Sequence, residues 1–369
     1  MSRWFVAGAS AAALLSADAA AAAEPDGASQ LSEVIVTASR RAENVQDAAL
    51  AVTALGSDFL QKSEITTVGD VARFAPGLTL NKTSNFVQLN IRGVSLQQIN
   101  LGGEPGVALH MDGVYIARPF AADAVLADLA RVEVVRGPQG TLYGRNATGG
   151  SMNLVGNDPS PEREGRVGLT VGSYERVRVE GMFNPPPLDA DGAWRLRLGV
   201  THDQRDGYVT NLLGGKKLDD QDIWSVRAAL AFAPSDAFEA LLRVDYTYED
   251  DTGPPYLPGV IGGAPVAAGG RPPRDPRHVY QDGPHANVLE AGGVSARLAW
   301  DLGAVKLTSL TAFRDTRFHI LEDQDGTDIA FLDEDLRERA KQYSQEFQLA
   351  SDTGGPVDWI VGLYAFKED

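Results

Sequence analysis

Apolar and polar residues alternate with a period of two through the second half of the chain. Side chains at every second position of an extended segment share one face, so this period predicts strands with one apolar face. In one clear example, Trp194, Leu196, Leu198 and Val200 alternate with Arg195, Arg197, Gly199 and Thr201. The pattern predicts about nine strands, starting near residues 166, 175, 193, 222, 238, 293, 305, 341 and 357.

Charge on one face of these strands and aliphatic or aromatic groups on the other are typical of a β-barrel with lipid outside and water inside. A soluble β-sandwich also alternates, but these strands are long enough to cross a membrane and carry aromatic residues near their ends. Short turns at 233–236, 301–303 and 351–355 alternate with predicted long loops at 250–291 and 319–339. This arrangement favours an outer-membrane barrel over residues 158–369.

The middle of the chain, residues 44–157, predicts a small α/β domain. Helical spacing covers residues 68–74 and ends before Pro76-Gly77, which is a stop signal. A second short helix is predicted over residues 123–129. Short β-prone runs occupy residues 87–91, 106–111 and 132–135.

The N-terminus has the pattern of an export signal over residues 1–23. Arg3 precedes an apolar run, and small residues follow up to Ala23. Residues 24–43 predict a flexible tail that contains an extended segment from Glu33 to Ala38. That segment either adds a strand to the sheet edge of another protein or forms the first strand of the following domain.

Composition excludes or disfavours several classes of function. The 369-residue chain has a formal charge of -17 and no cysteine, which disfavours nucleic-acid binding and rules out disulfides and thiol catalysis. The sequence contains none of the familiar nucleotide-binding, zinc-protease or serine-hydrolase motifs. His110 and Asp112 could share a strand face as half of a metal site, but a structural polar pair is favoured. We therefore predict no catalytic residue, no cofactor and no metal site, and an exported enzyme with a β domain is disfavoured.

Four segments, in this order, resemble those of TonB-dependent outer-membrane receptors. Glu33-Val34-Ile35-Val36-Thr37-Ala38 resembles the TonB box, and Asn90-Ile91-Arg92-Gly93-Val94 and 107–115 resemble plug motifs. Residues 131–144, which begin Arg-Val-Glu-Val-Val-Arg-Gly-Pro, are similar to the plug signature R-I-E-V-L-R-G-P. The family usually has G-G-x-I-N-I-x-T where this chain has Met152 and Val155-Gly156.

The resemblance implies an antiparallel transmembrane β-barrel of about 22 strands with an N-terminal α/β plug, of which this chain carries the plug and roughly the first nine strands. It also implies energised uptake, with an iron–siderophore complex as the leading ligand. Oligosaccharide, haem or cobalamin uptake remain alternatives, as does a passive porin-like or adhesive barrel. The implied partners are TonB with its inner-membrane energising complex, an extracellular small ligand and outer-membrane lipid, but no nucleic acid.

The resemblance assigns residues as well. TonB would bind Glu33, Val34, Ile35, Val36 and Thr37. Arg92 and Arg136 would lock the plug to wall carboxylates, although ordinary surface ion pairs are the alternative; Glu346 is a candidate wall partner because the alternation turns it away from lipid. The candidate ligand-binding residues are Asn81, Thr83, Asn85, Gln97, Gln98, Asn100 and Arg118.

Overall fold

The computed structural model describes residues 35–41, 43–83, 86–95, 103–118, 126–215, 217–257, 263–352 and 357–369. All of them belong to one compact unit, residues 34–369. The predicted signal peptide lies outside the described residues, as do Glu33 and Val34. Among the described residues, no helix is long and apolar enough to cross a membrane.

The N-terminal domain contains nine short strands and three short helices in its described part. The strands are β1 (Ile35–Val36), β2 (Glu43–Asn44), β3 (Ala51–Gly56), β4 (Leu78–Thr83), β5 (Phe86–Ile91), β6 (Val107–Met111), β7 (Val114–Ile116), β8 (Leu129–Arg136) and β9 (Gly150–Gly156). The helices are α1 (Ser57–Lys62), α2 (Val68–Val71) and α3 (Gly140–Tyr143). The central sheet has the order β3-β8-β9-β6-β7, in which only β6 and β9 run parallel. The pairs β1-β2 and β4-β5 are separate antiparallel ribbons.

Strand β8 is covered on both faces, and its alternation separates two cores. Val132 and Val134 pack in the main core with residues of the helices, β4, β5 and the wall. Val135 packs in a small second core with Val36 and Ala38. Glu133 shares the second face, so the sequence places a carboxylate beside the N-terminal segment.

Two helix predictions have different outcomes. The predicted helix over 68–74 is present but shorter; Thr67 and Asp70 form a capping box at its start. The predicted helix over 123–129 is wrong in its described part. Residues 126–128 are not helical, and Leu129 begins β8, where it pairs with Gly156. Leu126 and Leu129 are buried because they pack in the main core, and not because they share a helix face.

The second half forms a nine-stranded antiparallel sheet in chain order, as the alternation predicts. Its strands are β10 (Glu164–Val171), β11 (Val177–Asn184), β12 (Trp194–Arg205), β14 (Gln221–Ser235), β15 (Phe238–Asp251), β17 (Ala286–Asp301), β18 (Val305–Asp323), β19 (Asp333–Ser351) and β20 (Ile360–Glu368). The connections contain β13 (Thr210–Asn211), α4 (Ala264–Ala267) and β16 (His278–Val279). Strands β13 and β16 pair in parallel. Strands β10 and β20 are the two edges of this sheet, which we call the wall.

Side-chain exposure confirms the predicted faces of the wall. Leu198 and Val200 are 42% and 41% exposed on the outer face, whereas Arg197 and Thr201, which flank them and point inward, are buried. Leu289 and Phe318 face inward and join the main core of the N-terminal domain. The wall therefore covers that domain with its polar face and leaves its apolar face for lipid.

Two predicted loops are shorter than expected. Strands continue to Asp251 and from Ala286, and β18 and β19 extend to Asp323 and from Asp333. The charged stretch 319–339 was predicted as a loop, but its charges pair along and across the ladder. The carboxylate of Asp335, for example, lies 3.1 Å from His319 Nε2 and 3.0 Å from Arg337 Nε. Charged strands of this kind are stable where they extend beyond the lipid into water.

Candidate functional site

The extended N-terminal segment is docked on the plug-like domain. Ile35 and Val36 pair with Asn44 and Glu43 in the β1-β2 ribbon. Val36 is fully buried, whereas Ile35 is 42% exposed. Of the two alternatives that the sequence leaves open for this segment, the structure shows it paired within the chain as the first strand of the domain.

A buried carboxylate holds the next residue. Glu133 is fully buried in β8, and its Oε1 accepts hydrogen bonds from the backbone N–H of Thr37 at 2.8 Å and from its hydroxyl at 3.1 Å. Arg131 Nε donates to the same oxygen at 2.7 Å, and Arg131 Nη2 donates to Thr37 Oγ1 at 3.2 Å. A charged acceptor with this many donors is a strong local attachment for the segment.

Tyr143 of α3 provides a second attachment. Its hydroxyl donates to the carbonyl oxygen of Ala38 at 3.0 Å and accepts from Asn153 Nδ2 at 2.7 Å. Burial, opposed in part by Arg40, raises the pKa of Tyr143 to about 12, so its hydroxyl keeps the proton that it donates. Glu133 and Tyr143 together fix residues 37–38.

Arg40 and Arg41 then connect the segment to the wall. Arg40 Nε donates to the carbonyl oxygen of Leu142 at 2.9 Å, and the guanidinium lies 4.7 Å from the ring centroid of Tyr143. Arg40 Nη2 lies 3.6 Å from Glu346 Oε2. Arg41 donates to Ser351 Oγ at 2.9 Å and lies 3.1 Å from Asp358.

The structure places Glu346 beside Arg40 and not beside the two arginines expected from the sequence. Arg136 donates to the carbonyl oxygens of Ala51 and Pro76, both at 3.4 Å, and Arg92 is exposed with a positive φ of 52°. Within the described part of the chain, no carboxylate forms an ion pair with Arg92 or Arg136. Arg136 lies at the end of β8 in the plug sheet, where backbone carbonyls accept its hydrogen bonds, and Arg92 directly follows β5 of the separate β4-β5 ribbon.

Other ion pairs between plug and wall have the opposite polarity, with the carboxylate on the plug. Asp112, at a positive φ of 51° after β6, pairs with Arg227 of the wall and lies 3.7 Å from Arg243 Nε. The backbone N–H of Gly156 donates to Asp112 at 2.7 Å. Burial opposes ionisation, but Arg227 and Arg243 hold the pKa of Asp112 below its usual range, so the carboxylate stays charged.

Another wall arginine, Arg197, forms two parallel hydrogen bonds with the plug. Arg197 donates from Nε to Asp128 Oδ2 at 2.6 Å and from Nη2 to Oδ1 at 2.8 Å. Arg197 and Asp128 are both nearly buried at the contact, with side-chain exposures of 8% and 9%. This bidentate geometry fixes orientation as well as distance.

Among the ligand-binding candidates, Arg118 is engaged with the wall. Its Nε lies 2.6 Å from Glu368 and its Nη1 lies 3.0 Å from Glu338, near the wall end that carries the long loops. Asn81 is exposed in β4 opposite Gln88, and Thr83 ends that strand. Asn85, Gln97, Gln98 and Asn100 lie outside the described residues. The ligand-binding and TonB-binding assignments stay predictions.

A cavity of about 730 Å3 lies between the wall and the face of the plug that carries Arg40 and Tyr143. Both signs of charge line it, including Arg40, Glu346 and Arg297. His110, 2% exposed, also borders it and packs between the rings of Tyr115 and Tyr143, with centroids 5.7 and 5.2 Å away. Burial, and to a lesser degree Arg40, lowers the pKa of His110 well below its ordinary value, so the imidazole is neutral.

His110 and Asp112 do not form a shared metal site, because the carboxylate of Asp112 is taken by wall arginines. The described residues contain one group of three carboxylates with oxygens within 4.8 Å of one another, namely Asp323 at the end of β18 with Asp282 and Asp325 of the long loops. Asp323 accepts from the backbone N–H of Gly326 at 2.7 Å, and Asp325 accepts from that of Leu332 at 2.9 Å. These bonds fold the loop.

Sequence reasoning missed the residues that hold the segment and the plug. Glu133 carries a usable signal, since a charge inside the apolar run Val132–Val135 has to find buried donors. Asp112 in an Asp-Gly turn is a weaker signal. The sequence carries no signal for the pairing of Arg197 and Arg227 with plug carboxylates, because these partners depend on which side chains the fold brings together.

Comparison with known proteins places these features in a family. Residues 44–151 match the TonB-dependent Receptor Plug Domain. The pesticin receptor of Yersinia pestis is 30% identical over 213 residues, which is 56% of this chain and 30% of that protein. The ferripyoverdine receptor of Pseudomonas aeruginosa is 26% identical over 188 residues, or 50% of this chain and 22% of the receptor.

Solved structures share the fold. The ferric yersiniabactin uptake receptor of Yersinia pestis superposes with a TM-score of 0.73 and 22% identity, covering 86% of this chain and 48% of that one. The outer-membrane ferripyoverdine receptor of Pseudomonas aeruginosa gives 0.70 and 18%, covering 91% and 44%. The chain thus spans about a third or less of these curated relatives and about half of the solved chains. Residues 44–151 thus carry the plug domain of the TonB-dependent receptor family, and together with the nine-stranded wall they share the fold of these solved receptors.

Proposed function

We propose that the protein is an outer-membrane receptor that takes up a scarce extracellular ligand with energy delivered through TonB. The observation that carries this proposal is the docked N-terminal strand. Ile35 and Val36 have the composition of a strand that adds to another sheet, yet β2 occupies their pairing and Glu133 holds Thr37. Such a strand is available to a partner only after it leaves the plug.

The proposed ligand is an iron–siderophore complex. The similar proteins are named for pesticin, for ferripyoverdine and, in a solved structure, for ferric yersiniabactin uptake. A further relative, 37% identical over 82 residues, is the metal-pseudopaline receptor of Pseudomonas aeruginosa. These names support a metal chelate over an oligosaccharide, haem or cobalamin. The receptor binds and moves this ligand without covalent chemistry.

Arg118 connects ligand binding to the release of the N-terminal strand β1. An anionic ligand at the loop end of the wall competes with Glu338 and Glu368 for the Arg118 guanidinium. Between Arg118 and Glu133, strands β7, β6, β9 and β8 are consecutive hydrogen-bonded neighbours in the plug sheet. A shift of β7 can therefore reach the attachment of Thr37 through one rigid sheet.

The test is a proline at position 35. Ile35→Pro removes a backbone N–H and prevents strand addition, and because Ile35 is 42% exposed the change leaves the buried Val36 in place. Ile35→Val is the matched control, since it keeps a β-branched side chain and the N–H. We expect cells with Ile35→Pro to bind radioactive ferric siderophore normally but to accumulate almost none, whereas Ile35→Val cells accumulate it normally.

Unchanged accumulation in Ile35→Pro cells would exclude energised uptake and favour a passive barrel. Ligand class is tested separately, by the quenching of tryptophan fluorescence with ferric siderophores, haem, cobalamin and oligosaccharides. Saturable quenching by one of the last three classes alone would overturn the siderophore assignment and leave the TonB mechanism intact.

A further inference from the structure

Four buried polar side chains lie side by side across the plug sheet, and we call them the polar row. Neighbouring members are partners in the ladder, which runs from Tyr115 of β7 to His110 of β6, Asn153 of β9 and Glu133 of β8. Each of the four is 6% exposed or less. Polar groups buried in this way are costly unless they form hydrogen bonds, so the bonds of the polar row show what it stabilises.

Asn153 is the member of the polar row that contacts both attachments of the N-terminal segment. Its Nδ2 donates to the hydroxyl oxygen of Tyr143 at 2.7 Å and to Glu133 Oε2 at 3.4 Å. Because an ionised carboxylate only accepts hydrogen bonds, the amide turns its nitrogen, and not its oxygen, towards these groups. Asn153 is thus bonded to the two side chains that hold Thr37 and Ala38.

The bond from Asn153 fixes the direction of the Tyr143 hydroxyl. A hydroxyl has one proton to donate and two lone pairs that accept. Because the amide N–H occupies one lone pair, the proton points away from the amide and towards the carbonyl oxygen of Ala38, 3.0 Å away. Within the described part of the chain, Asn153 has no hydrogen bond of its own to residues 35–41, so it acts on the segment through its neighbours.

The oxygen of the same amide is unsatisfied. Among the described residues, Asn153 Oδ1 is buried without a hydrogen-bond partner. An unsatisfied buried acceptor lowers the stability of the folded state, so an apolar side chain of similar size should suit the plug at least as well. Plug stability therefore does not explain an asparagine here, whereas its two bonds to Tyr143 and Glu133 do.

We propose that Asn153 is a positioning residue for the release of β1, because it orients Tyr143 and Glu133 so that Thr37 and Ala38 stay docked on the plug. The inference rests on the proposed function and deepens it, since release of β1 is the step that makes this strand available to TonB. The amide of Asn153 sets how readily that step occurs.

The experiment measures amide hydrogen exchange by mass spectrometry, on the protein purified in mild detergent in the length that the cell makes. The hydrogen-bonded N–H groups of Thr37 and Arg40 report release of the segment, and those of β8 and β9 report opening of the plug sheet. We expect Asn153→Leu to speed exchange in the segment roughly tenfold, through the loss of one buried hydrogen bond. Exchange in β8 and β9 should stay the same or slow down, because the unsatisfied oxygen is removed as well.

A double-mutant cycle tests whether Asn153 acts through its neighbour. Tyr143→Phe removes the hydroxyl, so Asn153→Leu should have a smaller effect in that background than in the parent. Single effects that multiply to their full product would show that the two side chains act separately, and would overturn the proposal.

Asn153→Asp provides a second variant of unchanged size. It replaces the N–H donor by an acceptor, so the Tyr143 hydroxyl should donate to the new carboxylate and leave the carbonyl of Ala38. Exchange in the segment should again rise at least about tenfold.

Asn146→Gly is the matched control. Asn146 donates to the hydroxyl of Tyr115 at the same distance of 2.7 Å, and its φ of 64° suits glycine. This variant should leave exchange in the segment unchanged. Equal acceleration in the control, unchanged exchange in both Asn153 variants, or equal acceleration in β8 and β9 overturns the proposal. The expected exchange rates together with no accumulation of ferric siderophore by parent cells would instead refute the proposed function and leave the role of Asn153 intact.

Discussion

The attachment of Thr37 to Glu133 can be weakened by a single isosteric substitution. Glu133→Gln keeps the shape of the side chain and one carbonyl oxygen, but it removes the charge that two Thr37 donors and Arg131 share. Hydrogen bonds to a charged group contribute about 1.5–3 kcal/mol each, against about 1 kcal/mol for neutral ones. Two such bonds lose their charge assistance, so release of the segment should become easier by about 2 kcal/mol, or roughly 30-fold.

Release can be measured as thiol reactivity, because the chain has no cysteine. A cysteine placed at Val36, which is fully buried, reacts with a maleimide only when the segment leaves the plug. We expect the labelling rate, divided by that of a free peptide, to rise roughly 30-fold in Glu133→Gln and at least about tenfold in Thr37→Val. Thr37→Val keeps the backbone bond to Glu133 and loses only the hydroxyl bonds.

The matched control is Glu162→Gln, which neutralises an exposed carboxylate outside the plug sheet and should leave the rate unchanged. Equal labelling rates in the parent, Glu133→Gln and Thr37→Val would show that the carboxylate does not hold the segment. Amide exchange in β8 separates this result from a loss of plug folding, since a weakened attachment leaves β8 protected.

Three further outcomes follow from the plug contacts. Asp112→Asn leaves the wall arginines without their buried counter-charge, so opening of β6 and β7, measured by amide exchange, should become easier by about 3 kcal/mol. Gly150→Ala places a Cβ against the carbonyl of the neighbouring strand at a φ of +146°, and should lower the free energy of plug unfolding in urea by at least about 3 kcal/mol. His110 is buried with a lowered pKa, so below about pH 6.5 the unfolded chain takes up a proton that the folded plug refuses. Plug stability in urea should therefore fall between pH 7 and pH 5, and this decrease should disappear in His110→Gln.

Each of these has a control in the chain. Asp158→Asn removes an exposed carboxylate that also pairs with Arg243, and a change as large as that in Asp112→Asn would contradict the importance of burial. Gly140→Ala meets no atom within 4 Å, so equal destabilisation would refute the steric argument. A pH response that persists in His110→Gln and vanishes in a variant of the exposed His278 would assign the proton elsewhere.

The sequence predicted the wall well, because its signal is local. Alternation within each strand decides which residues face lipid, and this was sufficient for the nine strands and for the inward orientation of Glu346. Loop lengths were overestimated because charged residues such as Arg337 and Asp335 look like loop residues until their neighbours on the ladder are known. The two-residue period of apolar and polar residues does not show where a strand leaves the lipid and continues into water, so the strand ends were placed too early.

The site was harder to predict because its contacts join distant residues. The β-prone composition of Ile35–Thr37 was visible, but its attachment to Glu133, 96 positions beyond Thr37, was not. Arg40 was missed as the partner of Glu346 because it lies in a segment expected to be flexible. A plug-to-wall lock was expected from Arg92 and Arg136, whereas Arg40 and Arg118 form ion pairs with wall carboxylates instead. Two plug aspartates, Asp112 and Asp128, add pairs of the opposite polarity with arginines of the wall.

This polarity limits how receptors of this kind can be recombined. Arg197 and Arg227 emerge from two different wall strands, and their buried partners are two aspartates of the plug, Asp128 and Asp112. A chimera that inserts a foreign plug lacking acids at those two places would enclose both guanidiniums in its lumen without these buried counter-charges, even if every backbone segment superposed. Successful exchange would require transplanting the two carboxylates together with the plug, or converting the two arginines to neutral residues.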